Sequence, residues 1–378
     1  MTLKIKLSFG KALFFLLTLN VFVFSDNFQN VYIGGTSGIY SFHVDLLTGK
    51  PGPVAVVAET VNPSFLAVHP NGKILYAVNE TAEFKGVKTG SVSAFAVAAE
   101  GKLTLLNQQP SGGKNPCHLI VDRAGKNLLI ANYSGGSFEI IPLSIDGSLK
   151  EPSCVVQHKG KETEPGKKPS KSKCHSINPD PSDKYVFVTD LGLDRVFFYK
   201  YDGEKGIVAP NDPPALLLPP KSGPRHFAWH PFGRYAYIIN ETNSTITAAS
   251  FDPEKGTLKE LQTISTLPSG FTDETDCAEI QVHPSGKFLY GSNRGHDSIA
   301  IFSIDEKTGK LKTLGYEPTQ GKIPRNFCID PTGKYLLAAN QKSNNIVIFA
   351  IDPATGLLKP TGEKIDLPSP MCIKFLPF

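Results

Sequence analysis

The stretch GPRHFAWHPFGRYAYIINE, residues 223–241, decides the fold because its pattern returns along almost the whole chain. Two apolar runs, residues 226–229 and 235–239, flank a His-Pro-x-Gly turn. Short apolar runs bounded by turn residues are typical of paired β-strands, because the turn residues provide the reversal of chain direction. The stretch therefore predicts a β-hairpin whose two open ends carry polar and charged residues.

The hairpin belongs to a longer unit that is repeated. Each full unit contains four strand-like runs of about five or six residues, the common strand length, and it recurs about every 50 residues, as propeller blades do. Full units begin at Asn62, Asn115, Lys173, Gly223, Asp276 and Ile323. A partial unit near Asn30 lacks a first strand, and the last residues, from Ser369, supply only a first strand. The sequence predicts an all-β, seven-bladed β-propeller with four-stranded antiparallel blades. Its ring is closed by pairing the N- and C-terminal strands, which leaves no bare sheet edge.

The amino terminus differs from the rest of the chain. Lys4, Lys6 and Lys11 precede an apolar run at residues 12–24 that is shorter than the about 20 residues of a spanning helix. Residues 1–25 are predicted to be a cleaved signal peptide and residues 26–378 the propeller, with an uncleaved anchor as the alternative. We therefore expect export to the periplasm or the extracellular space and no stable membrane association after cleavage.

Charge and cysteine content narrow the possible partners. The net charge is +4 with both signs interspersed, which argues against nucleic acid as the main partner. One basic cluster, residues 159–173, contains no aromatic side chain and is predicted to be a solvated loop. The six cysteines are predicted to be mainly buried thiols, with one disulfide left open, because disulfide frameworks belong to small domains. A monomer is expected.

Two sets of positions converge on one mouth of the central channel of a propeller: the starts of the inner strands and the turns after the second strands. The position before each of these turns is nearly always Asn, which predicts a turn role. The neighbouring positions vary from blade to blade, and variation inside a repeat at one mouth predicts a functional site. In the first set they include His118, His175, His226, Glu279 and Asn326, with Arg225 and Arg325 one place earlier. In the second set they include Glu80, Tyr133, Glu241 and Arg294.

At these positions the chain resembles the seven-bladed β-propeller lactonase family, which includes propeller-type 6-phosphogluconolactonases and carboxy-cis,cis-muconate cyclases. The resemblance covers essentially the whole mature chain and rests on DLGLDRVF from Asp190, GPRH from Gly223, NE from Asn240 and NRGHDSI from Asn293. It implies a metal-independent site in the channel mouth, without a cofactor. The catalytic residues that it implies are His175, Arg225, Glu241 and Arg294.

The residue types suit the opening of a lactone, which needs a base to activate water and donors for the oxyanion. His175 is a candidate base, and so is Glu241 if burial raises its pKa. Arg225 and Arg294 are candidates for stabilising the oxyanion or for binding a substrate carboxylate or phosphate. An ion pair of Arg225 with Glu241 that only holds the blade together is the structural alternative. The predicted substrate-binding residues are His118, His226, Glu279, Glu80, Tyr133 and Arg325.

Two features depart from the family, and they keep other functions open. The family often has two histidines separated by one residue where this chain has Lys173-Cys174-His175. A signal peptide also fits poorly with 6-phosphogluconolactone, a cytoplasmic metabolite. The first hypothesis is hydrolysis of a sugar-acid lactone, like that of 6-phosphogluconolactonase, acting on a small-molecule lactone or anionic sugar acid. The alternatives are a muconate-type lactonising cycloisomerase and a non-catalytic exported propeller that binds a glycan or a protein. The chain contains no His-x-x-x-His or Cys-x-x-Cys spacing, although a metal held by the three histidines of the mouth stays possible.

Overall fold

The computed structural model describes residues 27–98, 101–160 and 170–377. The predicted signal peptide and most of the basic cluster at residues 159–173 lie outside the described residues. No helix among the described residues is long and apolar enough to cross a membrane.

The described chain forms seven four-stranded antiparallel sheets arranged as the blades of a propeller, so the predicted fold is confirmed. Blade 1 contains β4–β7, blade 2 β8–β11, blade 3 β12–β15, blade 4 β16–β19, blade 5 β20–β23 and blade 6 β24–β27. Blade 7 has the strand order β28-β1-β2-β3. The strands are β1 (Phe28–Gly34), β2 (Gly38–Asp45), β3 (Ala55–Glu59), β4 (Leu66–Val68), β5 (Ile74–Asn79), β6 (Ser91–Val97), β7 (Leu103–Pro110), β8 (Pro116–Val121), β9 (Asn127–Asn132), β10 (Ser137–Pro142), β11 (Cys154–Gln157), β12 (Cys174–Pro179), β13 (Tyr185–Asp190), β14 (Arg195–Asp202), β15 (Ile207–Leu217), β16 (Pro224–Trp229), β17 (Tyr235–Asn240), β18 (Thr245–Asp252), β19 (Thr257–Ser265), β20 (Asp276–Val282), β21 (Phe288–Arg294), β22 (Ser298–Ile304), β23 (Leu311–Pro318), β24 (Pro324–Ile329), β25 (Tyr335–Asn340), β26 (Asn345–Ile351), β27 (Leu358–Asp366) and β28 (Cys372–Phe375).

The two ends of the chain close the ring. β28 pairs antiparallel with β1 from Gly34 opposite Cys372 to Val31 opposite Phe375. This pairing covers an edge that a propeller built from one continuous set of hairpins leaves bare.

Packing between blades explains why the second strands are mainly apolar. All six residues of β5, β9 and β25 are buried, because each blade packs on a neighbour with both of its faces. The outermost strands touch solvent, as in β3, where no residue is buried. The core is thus a ring of apolar layers between blades.

Turn residues also join neighbouring blades by hydrogen bonds. Nε2 of His69, His230 and His283 lies 2.8–3.0 Å from a glycine carbonyl oxygen in the corresponding turn of the next blade. The hydroxyl groups of Tyr76 and Tyr237 donate to glycine carbonyls of the next blade in the same way. The three turn histidines therefore have a structural role, because each joins its blade to the next.

All six cysteines are free thiols, and all except Cys154 are buried. This agrees with the prediction of buried thiols and leaves the alternative of one disulfide without a pair in the structure.

Candidate active site

The mouth residues are positioned by a β-bulge at the start of the inner strands. In blade 4, Pro224 pairs with Asn240 and His226 pairs with Ile239, so Arg225 occupies the bulge between them. In blade 3, Cys174 pairs with Asp190 and Ser176 pairs with Thr189, so His175 occupies that bulge.

This register corrects one part of the way in which the sequence analysis matched positions between the repeats. The sequence grouped His175 with His118 and His226, but the structure shows that His175 corresponds to Arg225, and Ser176 to His226. Pairing with the last residue of the second strand sets the register, and residue type alone does not reveal it.

Glu241 lies at the centre of the mouth and binds two arginines. Its Oε2 accepts a hydrogen bond from Nε of Arg225 at 2.7 Å and forms a salt bridge with Nη2 of Arg294 at 2.9 Å. Arg225 also donates from Nη1 to the carbonyl of Ala278 at 2.7 Å, and Arg294 donates to the carbonyl of Cys277 at 2.8 Å. Both guanidinium groups are therefore fixed by blade 5 as well as by Glu241.

The electrostatics at Glu241 contradict the condition set for its role as a base with a raised pKa. Burial acts to raise the pKa of Glu241, but the guanidinium groups of Arg225 and Arg294 outweigh burial and lower the pKa below its usual value. Glu241 is therefore an ionised carboxylate at neutral pH. Its geometry suits orienting the two arginines.

His226 connects Arg225 to a buried carboxylate. Its Nδ1 lies 3.2 Å from Oε1 of Glu279, and its Nε2 lies 3.2 Å from Nη1 of Arg225. Since a guanidinium group only donates, Nε2 is an acceptor and the proton of a neutral ring lies on Nδ1. Burial lowers the pKa of His226 to about 4, with a further contribution from Arg225, so the ring is neutral near pH 7. Glu279 in turn accepts a hydrogen bond from Asn326.

His175 lies among aromatic rings beside this network. Its ring centroid is 5.3 Å from those of Tyr133 and His226. Burial lowers the pKa of His175 well below its usual value, and the charges of Arg225 and Arg325 act in the same direction. His175 is therefore neutral and able to accept a proton.

The remaining predicted residues surround this group. The ring of His118 is 5.4 Å from that of His226, and Nη2 of Arg325 is 3.5 Å from Oε2 of Glu80. The structure thus brings all ten predicted residues to the channel and its mouth.

The ten residues form two levels. The side chains of Glu241 and Arg294 are 19% and 15% exposed, whereas that of Arg225 is only 3% exposed. Those of Glu80 and Arg325 also reach solvent. The second level is buried and contains Arg225, His118, His175, His226 and Glu279. A substrate that enters from solvent therefore meets Glu241 and Arg294 first.

Sequence reasoning missed two residues at the site. Sγ of Cys117 lies 3.7 Å from Nδ1 of His175, and Nζ of Lys374 lies 4.7 Å from the centroid of the Phe65 ring inside the channel. Cys117 precedes His118 and occupies the bulge of blade 2 that corresponds to the bulge of Arg225 in blade 4. The correct register of the repeats would therefore have identified Cys117. Lys374 is on β28 and could have been found by following the last inner strand further along the channel.

The three histidines of the mouth do not suit a metal ion in this arrangement. Their rings are close, but His226 uses Nδ1 for Glu279 and faces Arg225 with Nε2, so it offers no free ring nitrogen.

Cavity size does not by itself identify the site. A groove of about 560 Å³ between blades 7 and 1, lined by Val61, Thr81 and Leu105 among others, is much larger than the cavity beside Arg225 and His226. The described residues of that groove do not bring together the charged groups and histidines found at the channel. The channel mouth is the candidate site because its charged groups converge.

The protein is a seven-bladed propeller in which charged side chains converge at one mouth of the channel. The family described as "Lactonase, 7-bladed beta-propeller" matches residues 30–375. The chain is 35% identical over 344 residues to a 6-phosphogluconolactonase of Bacillus subtilis, covering 91% of this chain and 95% of the relative. It is 37% identical over 299 residues to a 6-phosphogluconolactonase of Formosa agariphila, covering 78% and 82%. The periplasmic gluconolactonase of Pseudomonas aeruginosa has a similar structure, with a TM-score of 0.85, 30% identity, and coverage of 93% of this chain and 99% of the other.

The chain belongs to the seven-bladed β-propeller lactonase family, and it is an enzyme of the lactone-hydrolysing class.

Proposed function

We propose that the protein hydrolyses a sugar-acid lactone of the 6-phosphogluconolactone type at the mouth of its central channel, without using a metal. The observation that supports this most is the convergence of Arg225 and Arg294 on Glu241. Arg225 also contacts His226, whose ring lies 5.3 Å from that of His175. Two fixed guanidinium groups provide the positive charge that an oxyanion or an anionic substituent needs.

His175 acts as the general base in this proposal. The neutral ring removes a proton from water, and the resulting hydroxide adds to the lactone carbonyl to form a tetrahedral oxyanion. Arg294, which reaches solvent, stabilises this oxyanion together with Arg225. When the intermediate collapses, the ring C–O bond breaks and the leaving alkoxide takes the proton from His175, giving a hydroxy acid.

Glu241 orients the arginines in this mechanism. Its lowered pKa keeps it ionised, so both guanidinium groups stay directed at one point of the mouth. Glu80 and Arg325 form a second ion pair at the mouth and are proposed to contact the polar substituents of the sugar acid.

The test is a lactone panel offered to the purified mature protein: gluconolactone, its 6-phosphate, and lactones without sugar hydroxyls. We expect hydrolysis above the spontaneous rate, with His175→Ala lowering kcat by roughly 10²- to 10⁴-fold, the usual contribution of a general base. Glu241→Gln is expected to lower kcat/KM by a similar factor.

Matched controls are His43→Ala and Glu254→Gln, because both residues are exposed and lie away from the mouth. Equal rates for wild type, His175→Ala and Glu241→Gln would reject the site. Rates no higher than spontaneous hydrolysis across the panel would reject the substrate class.

We also propose that the protein is exported through residues 1–25. The basic and apolar order of that segment supports this, and one structurally similar protein is described as periplasmic. The test is the mass of the native protein from fractionated cells. A protein that still carries residues 1–25 and is found in the cytoplasmic fraction contradicts export.

A further inference from the structure

A second group of reactive side chains lies behind His175, outside the proposed lactonase site. His158, Cys174 and Asp190 meet there, and all three are buried. Nδ1 of His158 lies 2.8 Å from Oδ2 of Asp190 and 3.3 Å from Sγ of Cys174, and Sγ is 3.9 Å from Oδ2. We call these three residues the blade 3 cluster.

The spacing of the blade 3 cluster fits one tetrahedral metal ion. Zinc binds imidazole nitrogen and carboxylate oxygen at about 2.0–2.2 Å and thiolate sulfur at about 2.3 Å, so ligand atoms around it are separated by roughly 3.3–3.7 Å. The three observed separations differ from that range by about half an ångström or less. Small side-chain rotations are therefore enough to admit the ion.

The surroundings of the cluster provide the supporting contacts that metal ligands need. With Nδ1 on the metal, Nε2–H of His158 donates to the hydroxyl of Tyr199, which lies 2.9 Å away. The other carboxylate oxygen, Oδ1 of Asp190, accepts hydrogen bonds from the backbone N–H groups of Lys173 and Leu193. Ser172 Oγ donates a hydrogen bond to Oδ2 of Asp190 at 2.6 Å and lies 3.8 Å from Sγ of Cys174, so it helps to orient the carboxylate.

Comparison with the other blades shows that blade 3 is built differently at this point. Five second strands carry an amide at the position of Asp190, namely Asn79, Asn132, Asn240, Asn293 and Asn340. In blade 5, Cys277 pairs with Asn293 as Cys174 pairs with Asp190. The Cys277 thiol contacts the hydroxyl of Thr266, whereas the Cys174 thiol contacts the His158 ring. Across the described ranges, the blade 3 cluster is the one group of three such ligands within reach of one ion.

We propose that the blade 3 cluster is a structural zinc site held by Nδ1 of His158, Sγ of Cys174 and Oδ2 of Asp190. Binding releases the thiol proton of Cys174 to solvent, and the thiolate and carboxylate together balance the charge of Zn²⁺. A thiolate, an imidazole and a carboxylate suit zinc better than the hard ions Mg²⁺ and Ca²⁺, which prefer oxygen ligands alone. The ion ties the chain before the lysine-rich segment to the strand that carries His175.

The experiment uses the mature protein stripped of metal with a chelator and titrated with Co²⁺ and then with Zn²⁺. Cobalt in a tetrahedral site with a thiolate gives a charge-transfer absorption band, so the spectrum reports the sulfur ligand directly. We expect one equivalent of Co²⁺ to produce this band and Zn²⁺ to abolish it by displacement. Wild type is also expected to melt at a higher temperature with Zn²⁺ than with the chelator.

Four variants test the site, two at ligands, one at a residue that contacts a ligand and one as a control. Cys174→Ser is expected to remove the band, and Asp190→Asn, which restores the amide of the other blades and is therefore suited to fold, is expected to remove the thermal shift. Tyr199→Phe is expected to weaken zinc binding by roughly 10- to 100-fold through the loss of the contact to His158. Cys277→Ser is the matched control and is expected to leave both signals unchanged.

Two results overturn the proposal. One is a wild-type protein that shows neither the cobalt band nor a zinc-dependent melting shift. The other is an Asp190→Asn variant that binds zinc as tightly as wild type. Neither result depends on lactonase activity, so the outcome is independent of the proposed function.

Discussion

Glu241 shows how single residues at the mouth depend on one another. Arg225 and Arg294 bind the same carboxylate oxygen, and blade 5 carbonyls hold both arginines in place. The sequence predicted these residues as a group from variation inside a repeat. It did not reveal that His175 matches Arg225 in register, because the bulge that aligns them is set by strand pairing.

The first prediction concerns the pH dependence of lactone hydrolysis. Glu241 must stay ionised to hold the arginines. Its pKa is lowered from the usual value of 4.5, so the carboxylate stays ionised to a lower pH than an ordinary glutamate does. Replacing Arg225 by Gln removes the larger of the two arginine contributions and raises the pKa of Glu241. We expect Arg225→Gln to lower kcat/KM and also to move the acid limb of its pH profile to higher pH. An acid limb that does not move contradicts this electrostatic role for Arg225.

Within the strands, one buried carboxyl group opposes the general rule of apolar packing. Glu139 on β10 is buried, and its Oε1 has no hydrogen-bond partner among the described residues. Burial raises the pKa of Glu139 to about 8, and Glu151 adds to the effect. Nothing in the hairpin pattern of the sequence indicated a buried acid there.

The second prediction follows from Glu139. Its folded-state pKa lies above the unfolded value, so the stabilisation is complete below about pH 4.5 and is lost as the pH rises through 8. The full loss is on the order of 5 kcal/mol at 1.36 kcal/mol per pKa unit. Glu139→Gln is expected to remove most of this loss, measured as the free energy of unfolding in urea between pH 5 and pH 9. Parallel pH curves for the variant and wild type contradict it, and Glu254→Gln is the control.

The third prediction concerns the close approach of β1 to the neighbouring blade. A Cβ atom added at Gly34 would lie 1.9 Å from the carbonyl oxygen of Pro63, a backbone atom that cannot move aside. We expect Gly34→Ala to destabilise the protein by at least about 2 kcal/mol, as overpacking does. Gly315→Ala on β23 is the control, because the nearest atom is 3.9 Å from the added carbon. Equal midpoints of urea unfolding for the two variants contradict the expectation.

For the whole molecule, closure of the ring depends on four residues at the end of the chain. β28 supplies the inner strand of blade 7 and covers the edge of β1. It also carries Lys374 into the channel. One short strand therefore both stabilises the propeller and supplies a side chain of the channel.

The fourth prediction tests closure. A chain that ends after Met371 lacks β28 and exposes the unpaired edge of β1. We expect this variant to lose the single cooperative thermal transition in calorimetry and to scatter light through edge-to-edge association. A chain that lacks only Phe378, which follows β28, is the control and is expected to behave as wild type. A truncated protein that melts in one transition at the wild-type temperature contradicts this role of β28.

The sequence by itself determined the number of blades, the closure of the ring and the mouth at which the varied residues meet. The hairpin repeat is a local pattern, so it can be recognised along the chain. Residues that vary between repeats at one mouth of the channel mark that mouth as the place of a site. Only the tertiary structure decided the register of His175, the charge state of Glu241 and the meeting of His158 with Cys174 and Asp190. Those depend on bulges, on burial and on contacts between segments that are far apart in the chain, which the order of residues does not specify.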